Sequence, residues 1–176
     1  MKLRHLLLPL LLAGGPAAAA AGSDKQPVDY VDLFIGTSNS RWMLGPYAQA
    51  PFGMVQLGPD NQGDVWMGGY EYSIHNVSGF SHLHAWTMGG LMIMPTTADL
   101  AIGNPSTDSP YRGANAGYHS RILKESETAS PGYYSVYLYD HAVRAELTAT
   151  TRCGVHRYTF PEGTEPSVLA LSLIHI

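Results

Sequence analysis

The strongest constraint on the fold comes from residues 127–161, where three successive segments repeat with a period of two. In a β-strand, side chains at every second position lie on the same face, so this period predicts strands rather than helix. Turn-forming residues lie before, between and after the first two segments, at 130–132, 140–141 and 153–154. The repeating sets are Tyr134, Val136 and Leu138; then Val143, Ala145, Leu147 and Ala149; and, in the third segment, Val155, Arg157 and Thr159 alternating against His156, Tyr158 and Phe160. The run therefore predicts an antiparallel meander.

Further strands are predicted on both sides of the meander. Alternation predicts a first strand at Val28–Ile35 and a second at Met54–Leu57, which the turn-forming residues Gly58–Asn61 would end. The apolar Leu91–Met94 predicts a fully buried strand, and Pro166–Leu171 predicts the start of another. Many short strands without helical periodicity indicate an all-β fold, an antiparallel β-sandwich.

The amino terminus has the pattern of an export signal. Residues 1–21 combine a basic start, a short apolar stretch at Leu6–Leu12 and an alanine-rich end. The apolar stretch is far shorter than the roughly 20 residues of a membrane-spanning helix. The sequence thus predicts a cleaved signal, no membrane span, and a secreted or periplasmic bacterial protein.

The mature chain is expected to form one domain over residues 22–171, followed by a possible artefactual tail at residues 172–176, where an apolar strand continues without a turn or cap. Residues 102–116, mostly Gly, Asn, Pro, Ser and Asp, predict a long surface loop within that domain. Cys153 is the single cysteine, so no internal disulfide forms, and we expect a half-buried thiol at a strand end.

Charge narrows the range of partners. The formal net charge is −4, charged residues make up 14% of the chain, and no basic patch is visible. This balance argues against nucleic acid and against an anionic membrane surface as partner.

Two histidines are candidate site residues. His82 and His84 flank Leu83, so in an extended segment both imidazoles would share one face. Three interpretations are open: polar positions at a sugar pocket or domain interface, hydrogen-bonded structural histidines, or metal ligands. Zinc would need a third ligand, which only folding could bring, from residues such as His75, His119 or His156.

Two tryptophans and a glycine pair complete the candidate site. Trp66 and Trp86 lie in glycine-rich segments and are candidates for stacking on a sugar face, with core packing as the alternative. Gly68 and Gly69 would allow the backbone to approach a ligand closely.

No carboxylate pair identifies itself as catalytic. Glycoside hydrolysis normally needs two carboxyl groups flanking the scissile bond. Asp60, Asp64 and Glu71 lie near the glycine-rich segments, but turn-forming or solvated roles are the expected ones. The sequence therefore predicts no catalytic residue in this chain.

Several short strings together resemble the amino-terminal domain of glycoside hydrolase family 92, the exo-acting α-mannosidases. Besides the meander, they are VDLFIGT at 31–37, PFGMVQLGPDNQ at 51–62, GGYEYS at 68–73, GFSHLHAWT at 79–87 and MPTT at 94–97. The resemblance implies a galactose-mutarotase-like β-sandwich that packs against a larger helical (α/α)6 barrel. It also implies that the barrel supplies the catalytic acid, the base and an essential calcium ion.

The resemblance gives the candidate residues a role and the chain a function. It implies that 68–73 and 79–87 face the barrel and shape the mannose pocket of a secreted, calcium-dependent, inverting exo-α-mannosidase acting on mannose-rich glycans. The chain would then be a non-catalytic fragment that lacks its carboxyl-terminal barrel partner. Two alternatives stay open, a free-standing carbohydrate-binding module and, less favoured, a metal-binding protein that uses His82 and His84.

Overall fold

A computed structural model describes residues 25–38, 44–61, 69–84, 90–97 and 118–173. In these ranges the chain forms ten β-strands and two 3-10 helices, Pro27–Tyr30 and Lys124–Ser126, and no α-helix. None of the described helices has the length and apolar character needed to cross a membrane. The strands are β1 (Gly58–Asp60), β2 (Asn76–Val77), β3 (Gly79–Ser81), β4 (Gly90–Thr96), β5 (Ser120–Arg121), β6 (Thr128–Ser130), β7 (Tyr133–Leu138), β8 (Val143–Ala149), β9 (Gly154–Thr159) and β10 (Ser167–Leu173).

The strands form two four-stranded sheets and one two-stranded pair. The first sheet has the order β1-β3-β4-β10 and the second the order β6-β7-β8-β9, while β2 pairs with β5. Every pairing is antiparallel. The predicted all-β antiparallel sandwich is therefore confirmed.

One hydrophobic core joins the two sheets. Phe80 on β3 is fully buried, and its ring centroid lies 6.5 Å from that of Tyr134 on β7 and 6.3 Å from that of Tyr158 on β9. Met94 on β4 belongs to the same buried cluster. Since burying one large apolar side chain contributes about 1.5–3 kcal/mol, this shared cluster is the main force that holds the sheets together.

The predicted meander is present and has the predicted faces. Tyr134, Val136 and Leu138 are each 0% exposed, and the buried residues of β8 alternate in the same way. The turn predicted before the first segment is a hairpin turn, because β6 precedes it and pairs with β7. Gly132 has φ +81° in this turn, a left-handed conformation that glycine adopts without steric strain.

The strand predicted at Val28–Ile35 is wrong, because a 3-10 helix and a turn occupy that segment. Local side-chain bonds replace strand pairing there: Gln26 N–H donates to Asp29 Oδ2 at 2.7 Å, and Phe34 N–H donates to Asp32 Oδ1 at 2.9 Å. Such Asx contacts give the backbone partners that a sheet would otherwise supply. Two of the alternating apolar residues are accordingly exposed, Val31 by 46% and Ile35 by 74%.

The strand predicted at Met54–Leu57 and the turn predicted at Gly58–Asn61 were also wrong. Met54–Leu57 makes only an isolated bridge, between Leu57 and Ala48, and Met54 is 71% exposed. The residues predicted as a turn instead form β1, which pairs with β3 from Gly58 to Asp60. Burial against β3 outweighs the turn preference of these residues, so Asp60 lies in the interior.

Two predicted strands are present but less buried than expected. β4 continues through Pro95 to Thr96, and Leu91 is 49% exposed. β10 pairs with β4 on one side, and Val168 is 55% exposed. Cys153 is exposed rather than half-buried, and the surface loop predicted at 102–116 lies outside the described residues.

Candidate functional site

The candidate residues divide into those that the structure describes and those outside it. Trp66, Gly68 and Trp86 lie outside the described residues, as does Asp64. Gly69, His82 and His84 are described, and His82 and His84 have different contacts although one residue separates them.

His84 and Asp60 form a buried polar contact. His84 is 2% exposed and Asp60 is 0% exposed. His84 Nε2 lies 3.0 Å from Asp60 Oδ1, and His84 Nδ1 lies 2.7 Å from the carbonyl oxygen of Gln56. A carbonyl only accepts, so Nδ1 carries a hydrogen, and the contact at Nε2 is an ion pair whenever the ring carries its second proton.

Ser81 and Tyr47 complete the surroundings of this pair. Ser81 Oγ donates to Asp60 Oδ1 at 3.0 Å. The Tyr47 ring stacks on the His84 ring, with centroids 4.1 Å apart and 22° between the planes. Burial, and secondarily the nearby charge of Asp60, raises the pKa of the Tyr47 hydroxyl, which therefore stays protonated. Asp60 Oδ2 is buried and has no hydrogen-bond partner among the described residues.

Asn61 fixes both ends of residues 62–68. Its N–H donates to Gly69 O at 2.7 Å, its Nδ2 donates to Glu71 O at 2.9 Å, and its Oδ1 accepts from Glu71 N–H at 2.8 Å. Residues 62–68, which include Trp66 and Gly68, thus begin and end at positions that are bonded to each other.

The second tryptophan-bearing segment starts at the same place. Residues 85–89, which include Trp86, follow His84 directly, and β4 begins at Gly90. The side chain of His84 holds Asp60, the residue before Asn61, at 3.0 Å. We call Asp60, Asn61, Ser81 and His84 the polar base, because it brings the starts of both predicted sugar-contact segments together.

His82 faces another histidine instead of this polar base. Its Nε2 lies 3.2 Å from Nε2 of His156 on β9, and His156 Nδ1 lies 2.7 Å from the Tyr158 hydroxyl oxygen. Burial, and secondarily the charge of His82, lowers the pKa of His156 to about 4. His156 is therefore neutral near pH 7, and the contact joins the two sheets of the sandwich.

A second buried polar cluster supports the segment that follows Gly69. Glu127 accepts from Lys124 Nζ at 3.0 Å, from the Tyr134 hydroxyl at 2.7 Å and from the Tyr70 hydroxyl at 3.1 Å. Lys124 Nζ also lies 5.1 Å from the centroid of the Tyr72 ring, a cation–π contact. Burial lowers the pKa of Lys124 and raises that of Tyr134. Local sequence patterns do not predict this cluster, and the i, i+3 spacing of Lys124 and Glu127 is the one local signal of it.

The buried carboxylates of the described residues serve structural roles. Asp60 and Glu127 belong to the two clusters above, and Glu71 Oε1 accepts from Ser73 N–H at 3.2 Å and from Ser73 Oγ at 3.1 Å. Asp60 was expected in a turn, and this expectation was wrong, because Asp60 lies in β1. In the ranges that the structure covers, no group of three or more His, Cys, Asp or Glu side chains is arranged to hold a metal ion.

Sequence comparison places this architecture among known proteins. Residues 30–175 match the glycosyl hydrolase family 92 N-terminal domain. A curated relative, an uncharacterized secreted glycosidase of Arthroderma benhamiae, is 28% identical over 167 residues, which are 92% of this chain and 21% of the relative.

Solved structures give the same result. A family 92 α-mannosidase from Bacteroides thetaiotaomicron is 35% identical, with a TM-score of 0.67 over 77% of this chain and 18% of that chain. An inverting mannosidase of the family from Bacteroides thetaiotaomicron VPI-5482 is 27% identical, with a TM-score of 0.63 over 83% and 20% of the two chains. The chain therefore spans about a fifth of the length of these relatives.

Proposed function

Because the chain belongs to glycoside hydrolase family 92, whose amino-terminal domain it matches over residues 30–175, we propose a function as part of a mannosidase. The chain is the non-catalytic sandwich domain of a secreted, calcium-dependent, inverting exo-α-mannosidase that acts on mannose-rich glycans. Its role is to shape the mannose pocket and to pack against a helical catalytic barrel.

The observation that carries this proposal is the polar base. Asp60 and His84 are buried in contact at 3.0 Å, at the points from which residues 62–68 and 85–89 depart. Each segment contains one tryptophan, and a tryptophan ring offers an apolar face with a polar edge to a sugar. The polar base fixes the residues from which both segments start, and this supports a role in binding a monosaccharide.

The carboxylates support a non-catalytic role. An inverting glycosidase needs one carboxyl group as acid and another as base, separated by about 6.5–9.5 Å with room for water. Asp60 and Glu127 are both 8% exposed or less, and both are occupied by buried hydrogen-bond donors. We therefore assign the acid and the base to the remainder of the parent enzyme.

Calcium is assigned to the same remainder. Calcium takes six to eight oxygen ligands, several of them usually carboxylates, and the described residues do not offer such a set. In the described part of this chain no step of the proposed function depends on the ion.

Export is part of the proposal. The basic start, the apolar Leu6–Leu12 and the alanine-rich end support a signal that directs a bacterial protein to the periplasm or the medium. The similarity to a secreted glycosidase supports the same assignment.

The decisive experiment compares single substitutions in a barrel-bearing parent enzyme. Trp66→Ala and Trp86→Ala should each lower kcat/KM for an α-mannoside roughly tenfold or more, with little change in melting temperature. Tyr139→Ala, an exposed aromatic residue beyond the end of β7, is the matched control and should leave both unchanged. Parallel loss of activity and stability would identify the tryptophans as core residues and contradict the pocket assignment.

Calorimetry on the chain alone separates this function from that of a carbohydrate-binding module. Titration with mannose or mannobiose should give no saturable heat, because the barrel wall of the pocket is absent. Saturable binding by the isolated chain would favour the module instead.

A further inference from the structure

We propose that His82 and His156 form a binding site for a borderline transition-metal ion such as Zn²⁺, Ni²⁺ or Cu²⁺, in which two imidazole nitrogens hold the ion and water takes the positions that the third and fourth protein ligands occupy in an ordinary zinc site. Its two ligands lie outside the tryptophan-bearing residues 62–68 and 85–89, and it does not involve calcium. It rests on the geometry of the two rings, on the backbone that makes room for them, and on the group that orients one of them.

The separation of the two nitrogens fits a shared ion. His82 Nε2 and His156 Nε2 lie 3.2 Å apart. Two imidazoles bound to one zinc ion through bonds of about 2.0–2.1 Å place their nitrogens roughly 2.9–3.4 Å apart for ligand angles of 90–110°. The rings are not stacked, since their planes make an angle of 50° with centroids 5.1 Å apart. The distance between the two nitrogens therefore already matches the distance that two ligands of one metal ion require.

Gly154 makes the room in which the His82 ring lies. A Cβ atom on Gly154 would lie 2.6 Å from His82 Cδ2 and 2.7 Å from His82 Nε2, closer than nonbonded carbon and nitrogen atoms can approach. Any side chain at position 154 would therefore displace the metal-facing nitrogen. This gives a variant that disturbs the geometry while both imidazoles remain.

His156 has a partner that orients it as a ligand. Its Nδ1 lies 2.7 Å from the hydroxyl oxygen of Tyr158, and burial raises the pKa of that hydroxyl. When Nδ1–H donates to this oxygen, the lone pair of His156 lies on Nε2, on the side of His82. A hydrogen bond from the second ring nitrogen is the usual way in which proteins orient a metal-bound histidine.

The two imidazole ligands determine which metal ions the site prefers. Neutral imidazoles suit zinc, nickel and copper, whereas calcium and magnesium require oxygen ligands. His82 follows β3 of the first sheet and His156 lies on β9 of the second. A bound ion would thus link the two sheets and should stabilise the folded chain.

The test is titration of the purified full chain with ZnCl2 by calorimetry, followed by thermal unfolding with and without the metal. We expect one saturable site per chain and a higher melting temperature in zinc. His82→Ala and His156→Ala should each weaken binding roughly tenfold or more, since even the loss of an orienting partner costs about that much. His75→Ala, which removes an exposed histidine, is the matched control and should bind zinc as the parent does.

Gly154→Ala keeps the test decisive if a histidine variant does not fold. It retains every imidazole, and we expect about tenfold weaker zinc binding together with an unchanged far-ultraviolet circular dichroism spectrum. Electron paramagnetic resonance of the Cu²⁺-loaded parent should show hyperfine coupling to two nitrogens. Absence of a saturable site, or equal zinc affinity in the parent, His82→Ala and Gly154→Ala, would overturn the proposal.

Discussion

At Asp60, one carboxylate oxygen accepts a hydrogen bond from the Ser81 hydroxyl and lies 3.0 Å from His84 Nε2, on residues 21 and 24 positions later in the chain. Ser81 and His84 are both buried. In an interior of low dielectric constant such contacts are strong, and removing Asp60 takes away the carboxylate that Ser81 Oγ and His84 Nε2 share. Asp60 therefore determines the local stability of the polar base more than any of the groups that bind to it.

The Asp60→Ala substitution should lower the free energy of unfolding by about 1–3 kcal/mol for each buried group that loses this partner, the usual cost of an unsatisfied buried polar group. Urea denaturation measures this loss. Asp140→Ala is the control, because Asp140 pairs with Arg121 whose side chain is 63% exposed, and exposed pairs contribute only about 0–1 kcal/mol. Similar losses in the two variants would show that the Asp60 contact is not an effective buried pair.

Residue patterns could predict that His82 and His84 are polar sites but not what they contact. Sequence spacing placed both imidazoles on one face, whereas His84 contacts Asp60 and His82 contacts His156, 74 residues away. Contacts over such distances depend on how the strands pair, and no local pattern records this pairing. The role of the tryptophans in sugar binding stays a prediction.

Among the elements, the meander of β7, β8 and β9 carries a row of cross-strand side-chain contacts on its outer face. Glu146 on β8 accepts from the Tyr133 hydroxyl of β7 at 2.8 Å and from Arg157 Nε of β9 at 2.7 Å. These bonds, that from Arg157 foremost, lower the pKa of Glu146 to about 2. One carboxylate thus links three neighbouring strands.

This linkage predicts a pH dependence of stability. The pKa of Glu146 is lowered in the folded state from its usual 4.5 to about 2, so its contribution is complete above pH 4.5 and is lost as the pH falls towards 2. Glu146→Gln should cost about 0.2–1 kcal/mol at neutral pH and progressively less below pH 4.5. Urea midpoints recorded across this range measure the effect.

Glu125→Gln provides the matched control, since Glu125 is exposed in the short 3-10 helix. This variant should retain the pH dependence of the parent. A Glu146→Gln variant whose urea midpoints fall with acid as steeply as those of the parent would contradict the assignment.

Elements with strong alternation and pairing partners close in sequence were predictable, and the apolar runs of β4 and β10 were also found as strands, although their pairing with each other was not foreseen. β7, β8 and β9 follow one another through short connections, so pattern and topology agree. At Val28–Ile35 the alternation is equally clear, but Asp29 and Asp32 bond the local backbone and no strand forms. At Gly58–Asp60, pairing with β3 outweighs turn propensity, because burial against a neighbouring strand is decided by tertiary structure.

In the whole molecule, the first sheet ends at β10, which is paired on one side within the described residues. Val168 is 55% exposed on this strand, whereas Leu169 packs against the hydrophobic core. An apolar edge strand is a template for pairing with another chain. The isolated chain should therefore self-associate through this edge.

Val168→Lys should reduce self-association without changing the free energy of unfolding, because the charge enters solvent rather than the core. Sedimentation velocity measures the associated fraction, and urea denaturation measures stability. Leu169→Lys is the contrasting variant and should destabilise the fold by more than about 2 kcal/mol, since it places an unpaired charge against the core. Unchanged association in Val168→Lys would exclude this edge as the contact.

The hydrogen bond of 2.7 Å between Asn61 N–H and Gly69 O has a consequence for how such a domain diversifies. The described chain on either side of residues 62–68 ends at two residues that are bonded to each other, and lengthening a closed stretch twofold costs only about 0.6 kcal/mol of chain entropy. We therefore expect residues 62–68 to tolerate changes in length and sequence. Insertions or grafts there can alter what the protein recognises while the rest of the domain still folds.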